Sequence, residues 1–139
     1  MKVQNKNHVY DTLPPYLNNR MLAGDERKDQ IVIGLKVATL PEQDDYRREL
    51  SRIQADYAVD KAEELQRDKS IEFVGSKFAH IKGLEIDGVE LDADGGMDFK
   101  TFYKEAPPEL VNWCIRSVMS TTELSLAERK NFVPESGLV

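Results

Sequence analysis

The run Asp92-Ala93-Asp94-Gly95-Gly96-Met97-Asp98 sets three aspartates beside two glycines. Acids at alternate positions beside glycines resemble the start of a calcium-binding loop, which needs a turn glycine at its sixth position and a bidentate glutamate at its twelfth. Counted from Asp92, those positions hold Met97 and Tyr103, so a solvated turn is expected instead of a cation site. Glu85 and Asp87 form an acid pair, but acid/base work needs an apolar surround to move a carboxyl pKa, and none is evident nearby. They suit the polar face of a hairpin. His8 and His80 have no partner at metal-ligand spacing, and with one cysteine no Cys/His zinc set can form. That cysteine, Cys114, lies on an apolar helix face and is expected to be a buried thiol and not a nucleophile. No glycine-rich phosphate loop is present. The expectation is a protein that is not an enzyme, with no catalytic residue, metal or cofactor.

Composition narrows the partners. The 139 residues suit one domain, large enough to fold without a disulfide or a metal. Asp and Glu number 25 against 19 Lys and Arg, a net charge of −6. Phosphate contacts need clustered cations, so nucleic acid is not an expected partner. No apolar run approaches the roughly 20 residues of a membrane helix, so no membrane partner is expected. The first residues lack the apolar core of a secretory signal, and a lone cysteine fits a reducing compartment, so the expected location is the cytoplasm.

The elements follow from periodicity. Residues 1–29 are polar and rich in turn formers, and are expected to be an N-terminal arm. Tyr10, Leu13, Tyr16, Leu17, Met21 and Leu22 would dock it on its own domain or on a neighbour. Ile31, Ile33, Leu35 and Val37 alternate with Val32, Gly34, Lys36 and Ala38, a half-buried strand. Tyr46, Leu50, Ile53 and Tyr57 repeat at helical spacing, and one long exposed helix is expected over 42–67, its stripe either core or a seam for a partner. Ile71, Val74, Phe78 and Ile81 predict a second helix that Gly83 stops. Asp87-Gly88 between apolar residues signals a hairpin at 84–92. Asp98 is a candidate N-cap for a short helix, Pro107-Pro108 opens another, and the box Ser125-Leu126-Ala127-Glu128 opens a last one. The expected fold is small and α+β, mostly α-helical, with an N-terminal strand and a short β-hairpin. Its single helical domain spans 30–133, and 134–139 form a flexible tail.

With no reaction in view, the candidate site is a contact surface. Tyr46, Leu50, Ile53 and Tyr57 supply one apolar stripe, and Phe99, Phe102 and Tyr103 share a face of their helix. Trp113, the lone tryptophan, either finishes the core or joins Phe102 and Tyr103 as an interface anchor.

Phe78-Ala79-His80-Ile81-Lys82-Gly83-Leu84, the hairpin around Asp87-Gly88, Asp98-Phe99, then Glu109-Leu110-Val111-Asn112-Trp113 and Ala127-Glu128-Arg129-Lys130-Asn131 follow one another in an order that resembles the tail assembly chaperones of long-tailed bacteriophages. The resemblance covers roughly residues 31–132, rests on periodicity and turn residues, and leaves the arm unmatched. It implies a non-enzymatic protein of the host cell cytoplasm that binds and solubilises the tape-measure protein, recruits tail tube subunits and is released when the tube polymerises. Such proteins often have a longer, frameshifted form. Self-association is expected as well. The other reading is a structural adaptor of a virion, its N-terminal arm tying neighbouring subunits together.

Overall fold

The computed structural model of the chain describes residues 6–91 and 98–120. The predicted cap at Ser125, the Lys130-Asn131 ending, the tail from 134 and most of the acidic glycine loop lie outside these residues.

The alternating strand forms as expected, with Ile33 and Leu35 fully buried. It is β2 (Val32–Leu35), the middle of a three-stranded antiparallel sheet in the order β1-β2-β3, flanked by β1 (Tyr10–Thr12) and β3 (Phe78–Lys82). β1 places Tyr10 opposite Leu35 and Thr12 opposite Ile33, and the Thr12 hydroxyl donates to the Ile33 carbonyl at 2.7 Å. The segment expected to be a loose arm is therefore part of the fold, because its apolar residues find a partner in β2. Between the two strands the chain turns around Asn19. The Asn19 amide donates to the carbonyls of Pro14 and Ile31 at 3.1 and 3.0 Å, and its oxygen accepts from the Ile31 N–H at 2.6 Å.

Two expectations are corrected after β2. The chain continues into α1 (Leu40–Asp56) and α2 (Val59–Gly75), two helices where one was expected over 42–67. Tyr57 and Ala58 adopt extended backbone between them, with no glycine or proline to mark the break. A single helix would have left its apolar stripe in water; reversing the chain packs that stripe against α2 and buries Ile53 and Ala62. The second correction concerns Phe78 and Ile81, which belong to β3 and not to a helix running to residue 81. Phe78 pairs with Leu35, Ile81 with Ile33 and His80 with Gly34, so one step along β2 matches two along β3 at Ala79. That bulge resets the alternation, and residues three apart reach the same face. A helix-like spacing is thereby produced by a bulged strand. Gly83 does not stop a helix. It turns β3 into β4 at φ +81°, where a Cβ would meet the Gln30 carbonyl oxygen at 2.0 Å.

β4 (Leu84–Ile86) and β5 (Val89–Leu91) form the predicted hairpin, with Asp87 and Gly88 both at positive φ in its two-residue turn. Asp98 caps α3 (Phe99–Glu105) by accepting from the Thr101 N–H at 2.8 Å, which holds its carboxyl below the usual range. Pro108 opens α4 (Pro108–Ser117). α2, α3 and α4 cover one face of the sheet, and the core comprises Ile33, Leu35, Val74, Ile81, Phe102, Leu110, Trp113, Cys114 and Val118. The architecture is a small α+β fold, mostly helical.

Candidate functional site

The α1–α2 pair carries the apolar stripe expected to be a contact surface. Its base is tied down. Thr39 and Glu42 form a capping box: the Glu42 N–H donates to the Thr39 hydroxyl, and a Glu42 carboxylate oxygen accepts from the Thr39 N–H at 3.0 Å. The other carboxylate oxygen of Glu42 accepts from the Lys77 ammonium, which joins the start of α1 to the turn after α2. This contact, with the Thr39 N–H second, lowers the Glu42 pKa to about 2. Gln43 adds a tie by donating its amide to the Ala38 carbonyl at 3.0 Å, and the Ala38 N–H donates to Val118 at 2.7 Å.

Beyond this base the helices hold each other. Tyr46 stacks on Phe73 with ring centroids 4.3 Å apart, and its hydroxyl lies 2.5 Å from Ser70 Oγ. Gln66 donates to the Leu50 carbonyl at 3.1 Å. Ile53 and Ala62 are the buried apolar residues of the distal half of the pair. At the tip the apolar residues run out of cover: Tyr57 is 43% and Val59 72% exposed.

One flank of the pair is a shallow groove. Near the base it is lined by Glu42, Asp45, Tyr46, Glu49, Lys69 and Phe73, and toward the tip by Arg52, Ile53, Tyr57, Leu65, Asp68 and Glu72. The two hollows hold about 330 and 260 Å³ and share Glu49 and Lys69. The floor is apolar and the walls are mainly carboxylates. The two helices together carry ten Asp and Glu against six Lys and Arg. Arg52 bridges Glu49 at 2.5 Å and Asp56 at 3.4 Å, so one cation is shared by two acids; the bridge to Arg52 lowers the Glu49 pKa.

The expected contact residues separate into two groups. Tyr46, Leu50 and Ile53 lie on α1 as one stripe facing α2, with Ile53 buried and Tyr46 and Leu50 half-buried, and Tyr57 follows at the open tip just past the end of α1. Phe99, Phe102 and Trp113 are corrected as surface candidates. Phe99 and Phe102 pack with Phe78 at centroid distances of 5.3 to 5.7 Å, and Trp113 is 3% exposed. Tyr103 stays half-buried beside Phe99. Sheet pairing brings Phe78 onto α3 and withdraws these rings from water. Leu65, Phe73 and Val59 belong to the hairpin surface but were not among the expected residues. Their signal is the helical spacing of Ala62, Leu65 and Phe73, which runs across the expected helix end at 67.

Cys114 is fully buried, and burial pushes its thiol well above the ordinary range, where it is not a nucleophile. On the open face of the sheet His80 Nε2 lies 2.7 Å from Asp11 Oδ1. Among the described residues no group of three or more His, Cys, Asp or Glu is placed to hold a metal ion, and no helix is long and apolar enough to cross a membrane. No protein family, characterised protein or solved structure matches the chain.

Proposed function

We propose that this protein is a non-enzymatic tail assembly chaperone of a long-tailed bacteriophage. It acts in the host cell cytoplasm by binding and solubilising the tape-measure protein and recruiting tail tube subunits. The observation that carries the reading is the α1–α2 hairpin, with an apolar-floored, acid-walled groove and an uncovered tip. An amphipathic helix laid along such a groove buries its apolar face while its basic flanks meet the carboxylates. A long helical client covered in this way is kept from aggregating. A shallow groove built from one helix pair gives a contact weak enough to be displaced. The order of motifs from Phe78 onward adds support through its resemblance to the chaperone family. The adaptor alternative needs an arm that reaches a neighbour, and the pairing of β1 with β2 inside this chain gives it no support.

Co-expression with any very long helical protein encoded just downstream tests the reading. The client is expected to be soluble when this chain is present and insoluble without it. Tyr57→Asp and Val59→Asp change exposed tip residues, so they leave the fold intact and are expected to abolish the rescue. A client that is insoluble either way, or that both variants rescue fully, would overturn the proposal.

A further inference from the structure

A second surface lies away from the hairpin. Pro14, Pro15 and Tyr16 stand beside α4 and form with it a groove of about 600 Å³, whose remaining wall is Glu109, Leu110, Asn112, Trp113, Ile115 and Arg116. Along α4 the residues open to solvent are Pro108, Glu109, Asn112 and Arg116. Glu109 sits in the first turn and Arg116 in the last, about 10 Å apart along the axis at 1.5 Å per residue. Among the described residues neither makes an ion pair.

We propose that this face binds a second copy of the chain through an antiparallel α4–α4 contact about a two-fold axis. The argument is charge self-complementarity. An isologous contact brings one patch onto itself, so the patch must carry its own complement. Placing the axis between Asn112 and Trp113 sets Glu109 of each copy opposite Arg116 of the other, giving two equivalent ion pairs. Asn112 falls beside the axis, where an amide both donates to and accepts from its symmetry mate. The antiparallel arrangement also sets each positive helix N-terminus against a negative C-terminus. Pro15, Tyr16 and Ile115 flank the charged ends on the groove side. The patch is locally neutral, so the pairing does not oppose the net charge of −6 at the point of contact. This inference does not depend on the proposed function. If both hold, one dimer presents two hairpins to a client.

Light scattering after size-exclusion chromatography of the full chain over a concentration series tests the proposal. The wild type is expected to dimerise. Arg116→Glu and Glu109→Arg each set like charges against each other at both ends, and each is expected to weaken the dimer by about tenfold or more. The double variant E109R/R116E restores opposite charges across the axis and is expected to recover it. These positions are exposed, so circular dichroism is expected to show unchanged folding. A chain monomeric at every concentration, a dimer indifferent to the single reversals, or a double variant that fails to recover would each overturn the proposal.

Discussion

The His80 imidazole occupies the space a side chain at Gly34 would need: a Cβ there would lie 2.3 Å from His80 Cε1. The two residues are directly opposite on β2 and β3, and from this position His80 reaches Asp11 on β1. One ring therefore crosses all three strands. An aromatic ring laid over a strand glycine covers backbone that the glycine leaves bare.

This geometry gives a double-mutant prediction. Gly34→Ala forces the ring aside and separates it from Asp11, and is expected to destabilise the fold by about 1 kcal/mol. In a His80→Ala background the ring that the new Cβ meets is gone and the change reduces the freedom of the unfolded chain, so it is expected to be neutral or to stabilise by roughly a few tenths of a kcal/mol. Urea denaturation of the four proteins measures the coupling. Equal effects of Gly34→Ala in both backgrounds would remove the ring from the account.

Glu42 predicts a response to acid. Its pKa falls from 4.5 to about 2, first through Lys77 and then through the Thr39 N–H. A depressed carboxyl contributes stability that is complete above the unfolded value and lost as pH falls through the folded one, so the loss spans roughly pH 4.5 to 2. With the Glu42 side chain 41% exposed, solvent screening holds the contribution to about 1 kcal/mol. The stability difference between wild type and Glu42→Gln is expected to shrink as pH falls through that window. Lys77→Met is expected to return the Glu42 titration, followed by NMR, toward the ordinary carboxylate range.

The hairpin should open more easily than the sheet. Beyond the Glu42–Lys77 tie, α1 is held mainly by α2 through Tyr46, Ile53 and their contacts. Removing the Ile53 side chain to alanine is expected to cost about 2–4 kcal/mol, concentrated in local opening of the helix pair. Hydrogen exchange is expected to speed up along residues 47–69, with protection in β2 and β3 changed far less. Uniform loss of protection across the molecule would mean that hairpin and sheet unfold as one unit.

The physical reasons that made parts of this fold legible also explain where legibility ended. Ile33, Leu35, Asp87-Gly88, Asp98 and Pro108 are local signals: alternation, a turn dipeptide, a cap and a helix-opening proline act within a few residues. The break at Tyr57-Ala58 has no local signal, because it is set by the burial of Ile53 and Ala62 when the chain reverses. Phe78 and Ile81 carry a helical spacing that the Ala79 bulge converts to a strand face, a consequence of pairing with a segment more than forty residues away. The α1 stripe was legible as a candidate surface since amphipathic spacing alone defines it. Burial of Phe99 and Phe102 was not, because it depends on where β3 delivers Phe78; for Trp113 the core was one of two readings and is the one observed.

Trp113 and Phe102 separate core from surface in one experiment. Trp113 is 3% and Phe102 0% exposed, and both belong to the central cluster. Trp113→Ala is expected to cost about 3–5 kcal/mol of stability through the cavity it leaves. Phe102→Asp buries a charge in the apolar cluster and is expected to leave the chain largely unfolded at 25 °C. Tyr57→Asp, at the open tip, is expected to keep the wild-type denaturation midpoint while losing client binding. Far-UV circular dichroism with urea titration reads stability, and capture of a basic amphipathic peptide reads binding. A Trp113→Ala protein that keeps wild-type stability and fails to capture the peptide would return Trp113 to the contact surface and shift the binding face from the α1–α2 groove to α4.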